Sequence, residues 1–105
     1  MSGTTPDIAV RREEKELSSH YRAASTALEN ELAAMWRVHL KVEPIGMDDD
    51  FFELGGHSLL AAELLVAIER AVGVPVSATT LYLSPTVAEL AEAIEELRSE
   101  EPRDG

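Results

Sequence analysis

Apolar residues recur at helical spacing in three separate segments of this chain, and no segment shows the strict alternation of a half-buried strand. The segments cover residues 26–41, 58–72 and 86–97. Between the last two lies VPVSATTLYL, which is too short for more than one or two helical turns. The pattern predicts an all-α four-helix bundle with three main helices and one short third helix.

Capping residues mark the ends of these helices. Thr26 is followed three residues later by Glu29, and the same spacing joins Thr86 to Glu89. Each pair has the spacing of a capping box, in which a hydroxyl and a carboxylate bind the free N–H groups at a helix start. Gly73, with a proline two residues later, is typical of a helix end.

A long first loop, KVEPIGMDDDFFELGG, joins the first two main helices. Loops of this length are uncommon in compact domains unless they are functional or held by their own side chains. The acidic run from Asp48 to Asp50 lacks the spacing and the glycine of a calcium loop, so we interpret it as a solvated acidic turn. Five apolar residues are expected to hold the loop against the core: Ile45, Met47, Phe51, Phe52 and Leu54.

The two ends of the chain are rich in charged and small polar residues. They predict a flexible N-terminal tail over residues 1–22 and a flexible C-terminal tail over residues 99–105, with the folded domain at 23–98. Whether residues 12–23 form a helix stays open, because only Leu17 and Tyr21 have the spacing that would support one.

Length and composition exclude several classes of function. The 105 residues suffice for one domain with a modest core. The absence of cysteine excludes disulfides, thiolate metal sites and a cysteine nucleophile. The three histidines, His20, His39 and His57, do not have metal-ligand spacing, so we expect no metal.

The net charge of −11 either favours basic protein partners or merely keeps a small domain soluble. It disfavours nucleic acid, because a phosphate backbone would be repelled. No run of residues is long enough to cross a membrane or resembles a signal peptide. We therefore expect a cytoplasmic monomer that binds neither nucleic acid nor a membrane.

The decapeptide FFELGGHSLL places two glycines and a histidine just ahead of Ser58, where the second main helix begins. Paired glycines indicate a positive φ or the close approach of another group. A serine hydrolase is disfavoured, because Leu60 stands where the nucleophile elbow has its second glycine and no strand precedes the turn.

Two interpretations of Ser58 stay open from the spacing alone. In the first interpretation the serine is modified: Gly55 and Gly56 leave room for another enzyme, and the helix N-terminus favours an attached anion. Alternatively, Ser58 is simply an N-cap and the glycines form a tight turn.

The sequence FFELGGHSLL, preceded by IGMDDD and followed by SPTVAEL, resembles the phosphopantetheine attachment region of carrier proteins. It is most similar to the peptidyl (thiolation) carriers of nonribosomal peptide synthetases, because His57 stands where fatty-acid and polyketide carriers more often have aspartate. The resemblance covers about residues 26–97 and implies a non-catalytic bundle of the acyl-carrier type. It also implies a covalent 4'-phosphopantetheine on Ser58, with Gly55, Gly56 and His57 around it.

The resemblance implies the partners as well. A phosphopantetheinyl transferase using coenzyme A and magnesium would attach the arm, an adenylation enzyme would load an amino acid as a thioester, and condensation or tailoring enzymes would follow. The thiol belongs to the cofactor, which agrees with a chain that has no cysteine. We expect a discrete carrier for the biosynthesis of natural products such as antibiotics. The alternatives are an acyl carrier of a polyketide or fatty-acid pathway and an unmodified acidic interaction module.

A helical wheel of residues 58–72 places Leu59, Ala62 and Val66 on the outer side, beside Glu63. Isolated exposed apolar residues are normal, but three of them next to Ser58 with a charged rim are typical of a weak, transient interface. Leu83 stands where these carriers more often have a polar residue. It either packs in the core or, as we favour, extends this partner surface.

Three further residues carry separate expectations. Lys41 stands where these carriers often have a glycine after the first helix, so no left-handed cap is predicted there. His57 is expected to contact the attached phosphate or a partner rather than merely fill the turn. His39 is expected to be a partly buried, hydrogen-bonded residue and not a ligand.

Overall fold

A computed structural model of the chain describes residues 10–15 and 17–100. The described residues form four α-helices: α1 (Ala27–Leu40), α2 (Ser58–Val72), α3 (Ala78–Leu83) and α4 (Val87–Glu100). Helix α1 packs against α2 and α4, and the short α3 contacts both α2 and α4. The prediction of a four-helix bundle with a short third helix is confirmed. None of the helices in these described ranges is long and apolar enough to cross a membrane.

The apolar stripes of the helices and the side chains of the long loop meet in one core. Of the five loop residues expected to hold the loop, four are buried and Phe52 is half-buried. The ring of Phe52 stacks on that of Tyr82, with a centroid separation of 5.2 Å. The loop is therefore packed as an integral part of the bundle.

The helix starts follow the predicted caps with one difference. The backbone N–H of Glu29 donates to Thr26 Oγ1 at 3.0 Å, and that of Glu89 donates to Thr86 Oγ1 at 3.2 Å. The Glu29 carboxylate, however, accepts from the backbone N–H of Ser25 at 2.8 Å, one residue earlier than the capping box predicts. This hydrogen bond is the main cause of the lowered pKa of Glu29.

The end of α1 differs from the expectation. Lys41 adopts the left-handed conformation, with φ 57° and ψ 44°, where no such cap was predicted. Its backbone N–H donates to the carbonyl of Arg37 at 2.8 Å, which closes the last turn of the helix. A residue with a Cβ is strained there by about 1–2 kcal/mol, so the surrounding contacts must hold this conformation.

The N-terminal strap, defined here as residues 10–15 and 17–22, is where the structure departs most from the prediction of a flexible tail. Strand β1 (Val10–Arg11) pairs in parallel with strand β2 (Val42–Glu43), and a 3-10 turn (Arg12–Glu14) follows. Leu17 packs half-buried on the core. Four polar residues of the strap, Arg12, Ser18, Ser19 and Arg22, have partners on the long loop, which composition alone does not reveal. Residues 1–9 and 16 of the predicted tail lie outside the described residues.

Two further observations concern the chain ends. The described residues between 12 and 23 form the 3-10 turn and no α-helix, so the helix left open there is not present. Helix α4 continues to Glu100, beyond the predicted end of the domain at residue 98. Residues 101–105 of the predicted C-terminal tail lie outside the described residues.

Candidate functional site

Ser58 is the first residue of α2, and His57 is its N-cap with an extended backbone. Both residues are exposed. Among residues 10–15 and 17–100, neither side chain makes a hydrogen bond. The interpretation of Ser58 as an N-cap is therefore wrong, because that position belongs to His57 and the serine hydroxyl is available for other chemistry.

The start of α2 offers a favourable place for an anion. Its first turn contains no acidic residue, whereas α1 has Glu29 and α4 has Glu89 in the first turn. The first N–H groups of a helix lack partners within the helix, and the helix dipole places partial positive charge there. A phosphate on Ser58 would therefore meet unpaired N–H groups and no carboxylate from its own helix turn.

The two glycines before the site serve different purposes. Gly55 has φ 110°, a conformation that residues with a Cβ rarely adopt. At Gly56 a Cβ would lie 2.2 Å from Cε2 of Phe51, so any side chain would displace that buried ring. The group that approaches Gly56 closely is therefore part of this chain and need not be a partner enzyme.

Asp49 is fully buried, and the interpretation of the acidic run as a solvated turn is wrong for this residue. Its carboxylate accepts from Arg12 Nε at 2.8 Å, Ser19 Oγ at 2.6 Å and the backbone N–H of Gly46 at 2.9 Å. Burial raises the pKa of Asp49, but these hydrogen bonds outweigh it, so the pKa is lowered overall. Arg12 and Ser19 of the strap, together with Gly46 of the loop, thus bind the carboxylate that was expected to be hydrated.

The other two aspartates of the run are less buried. Exposed Asp48 forms a two-pronged ion pair with Arg22, with N–O distances of 2.9 and 2.8 Å. Asp50 Oδ1 accepts from the backbone N–H of Phe52 at 2.8 Å and shapes the turn before Ser58. Within the ranges that the structure describes, no group of three or more His, Cys, Asp or Glu residues could hold a metal ion.

The residues predicted to form a partner surface are all exposed. Leu59 is 64% exposed and Val66 53% exposed on α2, and Leu83 on α3 is 77% exposed. Ala62 and Glu63 are exposed as well. Leu83 does not pack in the core. Its role in binding a partner stays a prediction.

Sequence reasoning missed two side chains that contact the long loop. Tyr82, 53% exposed, lies next to Leu83 and stacks on Phe52. Arg12 reaches the loop from the strap and binds Asp49. Neither contact has a local sequence signal, because each joins residues about 30 or more positions apart. His39 behaves as expected: it is half-buried, and its Nδ1 lies 2.9 Å from the carbonyl oxygen of Met35.

A four-helix domain with an exposed serine at the start of its second helix has the arrangement of a carrier protein, with a site for modification. The sequence matches the family described as "Phosphopantetheine attachment site" over residues 30–94, and the chain belongs to this family. The family consists of carrier domains and not of enzymes, and its cofactor is 4'-phosphopantetheine. The predictions of family and cofactor are confirmed.

Similar proteins agree with this assignment. The chain is 46% identical over 74 residues to tyrocidine synthase 3 of Brevibacillus parabrevis, an alignment that covers 70% of this chain and only 1% of that much longer protein. The solution structure of an active site mutant of a peptidyl carrier protein superimposes with a TM-score of 0.75 at 32% identity, covering 84% of this chain and 97% of the other.

A second solved structure shows a carrier of the same fold with an enzyme. It is the peptidyl carrier protein in a complex with the phosphopantetheine transferase Sfp and coenzyme A. The match has a TM-score of 0.70 at 34% identity and covers 72% of this chain and 99% of that one. The fold is therefore that of the peptidyl carriers, as predicted.

Proposed function

We propose that this chain carries aminoacyl or peptidyl intermediates as thioesters on a 4'-phosphopantetheine arm attached to Ser58, in nonribosomal peptide biosynthesis. The observation that supports this most is Ser58 at the start of α2, which is exposed and has no partner among residues 10–15 and 17–100, in a chain of the phosphopantetheine attachment family. When bound, the arm supplies the thiol that holds the cargo, which a chain without cysteine cannot supply itself.

The residues around Ser58 fit a phosphate at this position. The unpaired N–H groups of the first turn of α2 would stabilise its charge by about 0.3–1 kcal/mol. His57 is exposed at the N-cap, where its ring can donate to a phosphate oxygen or to a partner. Gly55 and Gly56 hold the turn that presents the serine. In the modification, Ser58 Oγ would form a bond to the phosphorus next to the pantetheine while the P–O bond of the pyrophosphate breaks; the nucleotide half of coenzyme A leaves as adenosine 3',5'-bisphosphate, and the hydroxyl proton is released.

The partners follow from the proposed chemistry. A phosphopantetheinyl transferase modifies Ser58, an adenylation enzyme loads the amino acid, and condensation or tailoring enzymes use the product. The similarity to the carrier in the Sfp complex supports the first of these partners. We place the function in the cytoplasm, where coenzyme A is available to the transferase.

We further propose that these enzymes bind the partner surface formed by five exposed residues. Its apolar members lie on α2 and α3, and Glu63 supplies a charge at its rim. A surface of this kind suits weak binding, since a carrier must leave each enzyme before it meets the next. The five residues are Leu59, Ala62, Glu63, Val66 and Leu83.

The experiment compares the wild type with Ser58→Ala after incubation with coenzyme A, magnesium and a broad-specificity transferase. Ser99→Ala, which changes another exposed serine, is the matched control. Intact-mass spectrometry is expected to show the gain of one phosphopantetheine in the wild type and the control, and none in Ser58→Ala. A folded wild type that gains nothing would contradict the proposal.

The remaining question within this function is the cargo, since an acyl carrier would be modified in the same way. His57 before the serine and the similarity to a tyrocidine synthase favour a peptidyl carrier. The modified protein should therefore accept an amino acid from at least one adenylation enzyme in the presence of ATP. Loading by acyl-transferring enzymes alone would favour the acyl carrier instead.

A further inference from the structure

The N-terminal strap contacts the long loop near both of its ends. At the start of the loop, the backbone N–H of Val10 donates to the carbonyl of Lys41 at 2.8 Å. Near its end, Ser18 Oγ donates to the Glu53 carboxylate at 3.0 Å. Lys15 Nζ lies 3.4 Å from the position that a Cβ would take at Gly55. The strap therefore runs beside the loop up to the glycine turn that precedes Ser58.

The buried part of this contact is the ion pair between Arg12 and Asp49. The Arg12 side chain is 12% exposed and that of Asp49 is 0% exposed. Arg12 binds Asp49 through two nitrogens and also donates to the carbonyl of Ser19 at 3.2 Å. A buried charge left without its partner is strongly unfavourable. Loss of Arg12 would therefore drive Asp49, and the loop around it, toward water.

Asp49 lies in the same packed segment of the long loop as the turn that precedes the attachment serine. Two residues after Asp49, Phe51 is fully buried, and its backbone N–H donates to the carbonyl of Pro85 at 2.8 Å. Its carbonyl accepts from the backbone N–H of Gly56 at 3.0 Å, and its ring leaves no room for a Cβ there. Ser58 follows two residues later. The turn that presents Ser58 is thus joined to Asp49 by a short, buried stretch of the loop, whose anchor on the strap side is the ion pair with Arg12.

We propose that Arg12 is a positioning residue for the modification of Ser58. Through Asp49 it holds residues 43–57 in the conformation that the transferase recognises. This inference rests on the proposed function. If the transferase binds one loop conformation, a lower population of that conformation raises the KM for the carrier, whereas kcat for the bound complex is unchanged.

The test uses the full chain with Arg12→Met, and Arg37→Met as the control that removes an exposed positive charge on α1. Circular dichroism selects a temperature at which all proteins are folded. In Arg12→Met, amide hydrogen exchange of residues 46–57 should accelerate about tenfold or more, while the core amides of α4 stay protected. The KM for the carrier in the transferase reaction should rise about 3–10-fold, with kcat within about twofold of the wild type.

Arg12→Lys provides a second variant that keeps the charge but loses the two-pronged geometry, so its exchange rates and KM should lie between the wild type and Arg12→Met. The inference would be overturned if Arg12→Met left the amide hydrogen exchange of the loop and the KM for the carrier unchanged. It would also be overturned if Arg37→Met changed both quantities as much, or if Arg12→Met lowered only kcat. A wild type that the transferase leaves unmodified would instead overturn the proposed function. In that case the amide hydrogen exchange of the loop in Arg12→Met still decides whether Arg12 holds the loop.

Discussion

The ring of Phe51 packs against the backbone of Gly56 so closely that a Cβ at position 56 would lie 2.2 Å from Phe51 Cε2. Phe51 is fully buried and meets Trp36 of α1 edge-on, with ring centroids 5.4 Å apart. The turn that presents Ser58 is thus tied directly to the hydrophobic core. Changes in this packing should affect both stability and modification.

Gly56→Ala should lower the free energy of unfolding by about 1–3 kcal/mol, because the new methyl group displaces the Phe51 ring. Urea unfolding measures the loss. The double variant Gly56→Ala/Phe51→Leu should lose less than the sum of the two single changes, since the smaller side chain makes room for the methyl. Additive losses would show that the two positions do not share this contact.

Asp49 should make the free energy of unfolding of the domain decrease at low pH. Its pKa is lowered in the folded state, so its contribution is fully present above its unfolded pKa of about 3.9 and is lost as the pH falls through the folded value. Urea unfolding of the wild type should show this loss begin as the pH falls below about 4 and grow toward about pH 2. In Asp49→Asn the loss should be smaller, because the amide does not titrate.

At pH 7, Asp49→Asn should be less stable than the wild type by about 3 kcal/mol, because it breaks a buried ion pair. Asp48→Asn is the matched control, since Asp48 forms an exposed pair with Arg22. It should change stability little. Equal stability of Asp49→Asn and the wild type at pH 7 would contradict the assignment of Asp49 as the buried anchor of the loop.

Leu59→Glu and Val66→Glu should leave the fold intact and reduce modification or loading about tenfold, because a charge replaces apolar contact in a transient interface. Initial rates with a transferase and an adenylation enzyme measure the effect. Val38→Glu, at a 59% exposed apolar residue on α1, is the control and should react normally. Normal rates for both α2 variants would remove these residues from the partner surface.

Leu83→Ser tests whether the surface continues onto α3. Leu83 is 77% exposed, so the substitution should change stability by less than about 0.5 kcal/mol. We expect slower reaction with at least one partner enzyme, because the contacts that the substitution removes would be made only in a complex. If all partner reactions proceed at wild-type rates, Leu83 lies outside the partner surface.

The helices were predictable because their signals are local. Residues 58–72 carry the apolar period, Gly73 follows them as the terminal glycine, and α2 spans Ser58–Val72. Ser58 was identified from the adjacent motif and its resemblance to a family. That its hydroxyl is exposed and unpartnered among the described residues required the structure.

The strap was not predictable, because its decisive contact joins Arg12 to Asp49 across 37 positions. Each residue lies in a segment whose composition is typical of solvent-exposed chain, so the sequence predicts that both side chains are hydrated. Gly55 and Gly56 are alike in sequence, and only backbone geometry and the position of Phe51 separate their roles. Lys41 adopts a conformation that its residue type disfavours, which no local pattern indicates.

The most direct test of the central claim is the location of the modification on the chain. After treatment with transferase and coenzyme A, the protein is digested and its peptides are fragmented by tandem mass spectrometry. We predict that all phosphopantetheine lies on Ser58. Attachment to any other residue, or no attachment to a chain that is folded by circular dichroism, would contradict it.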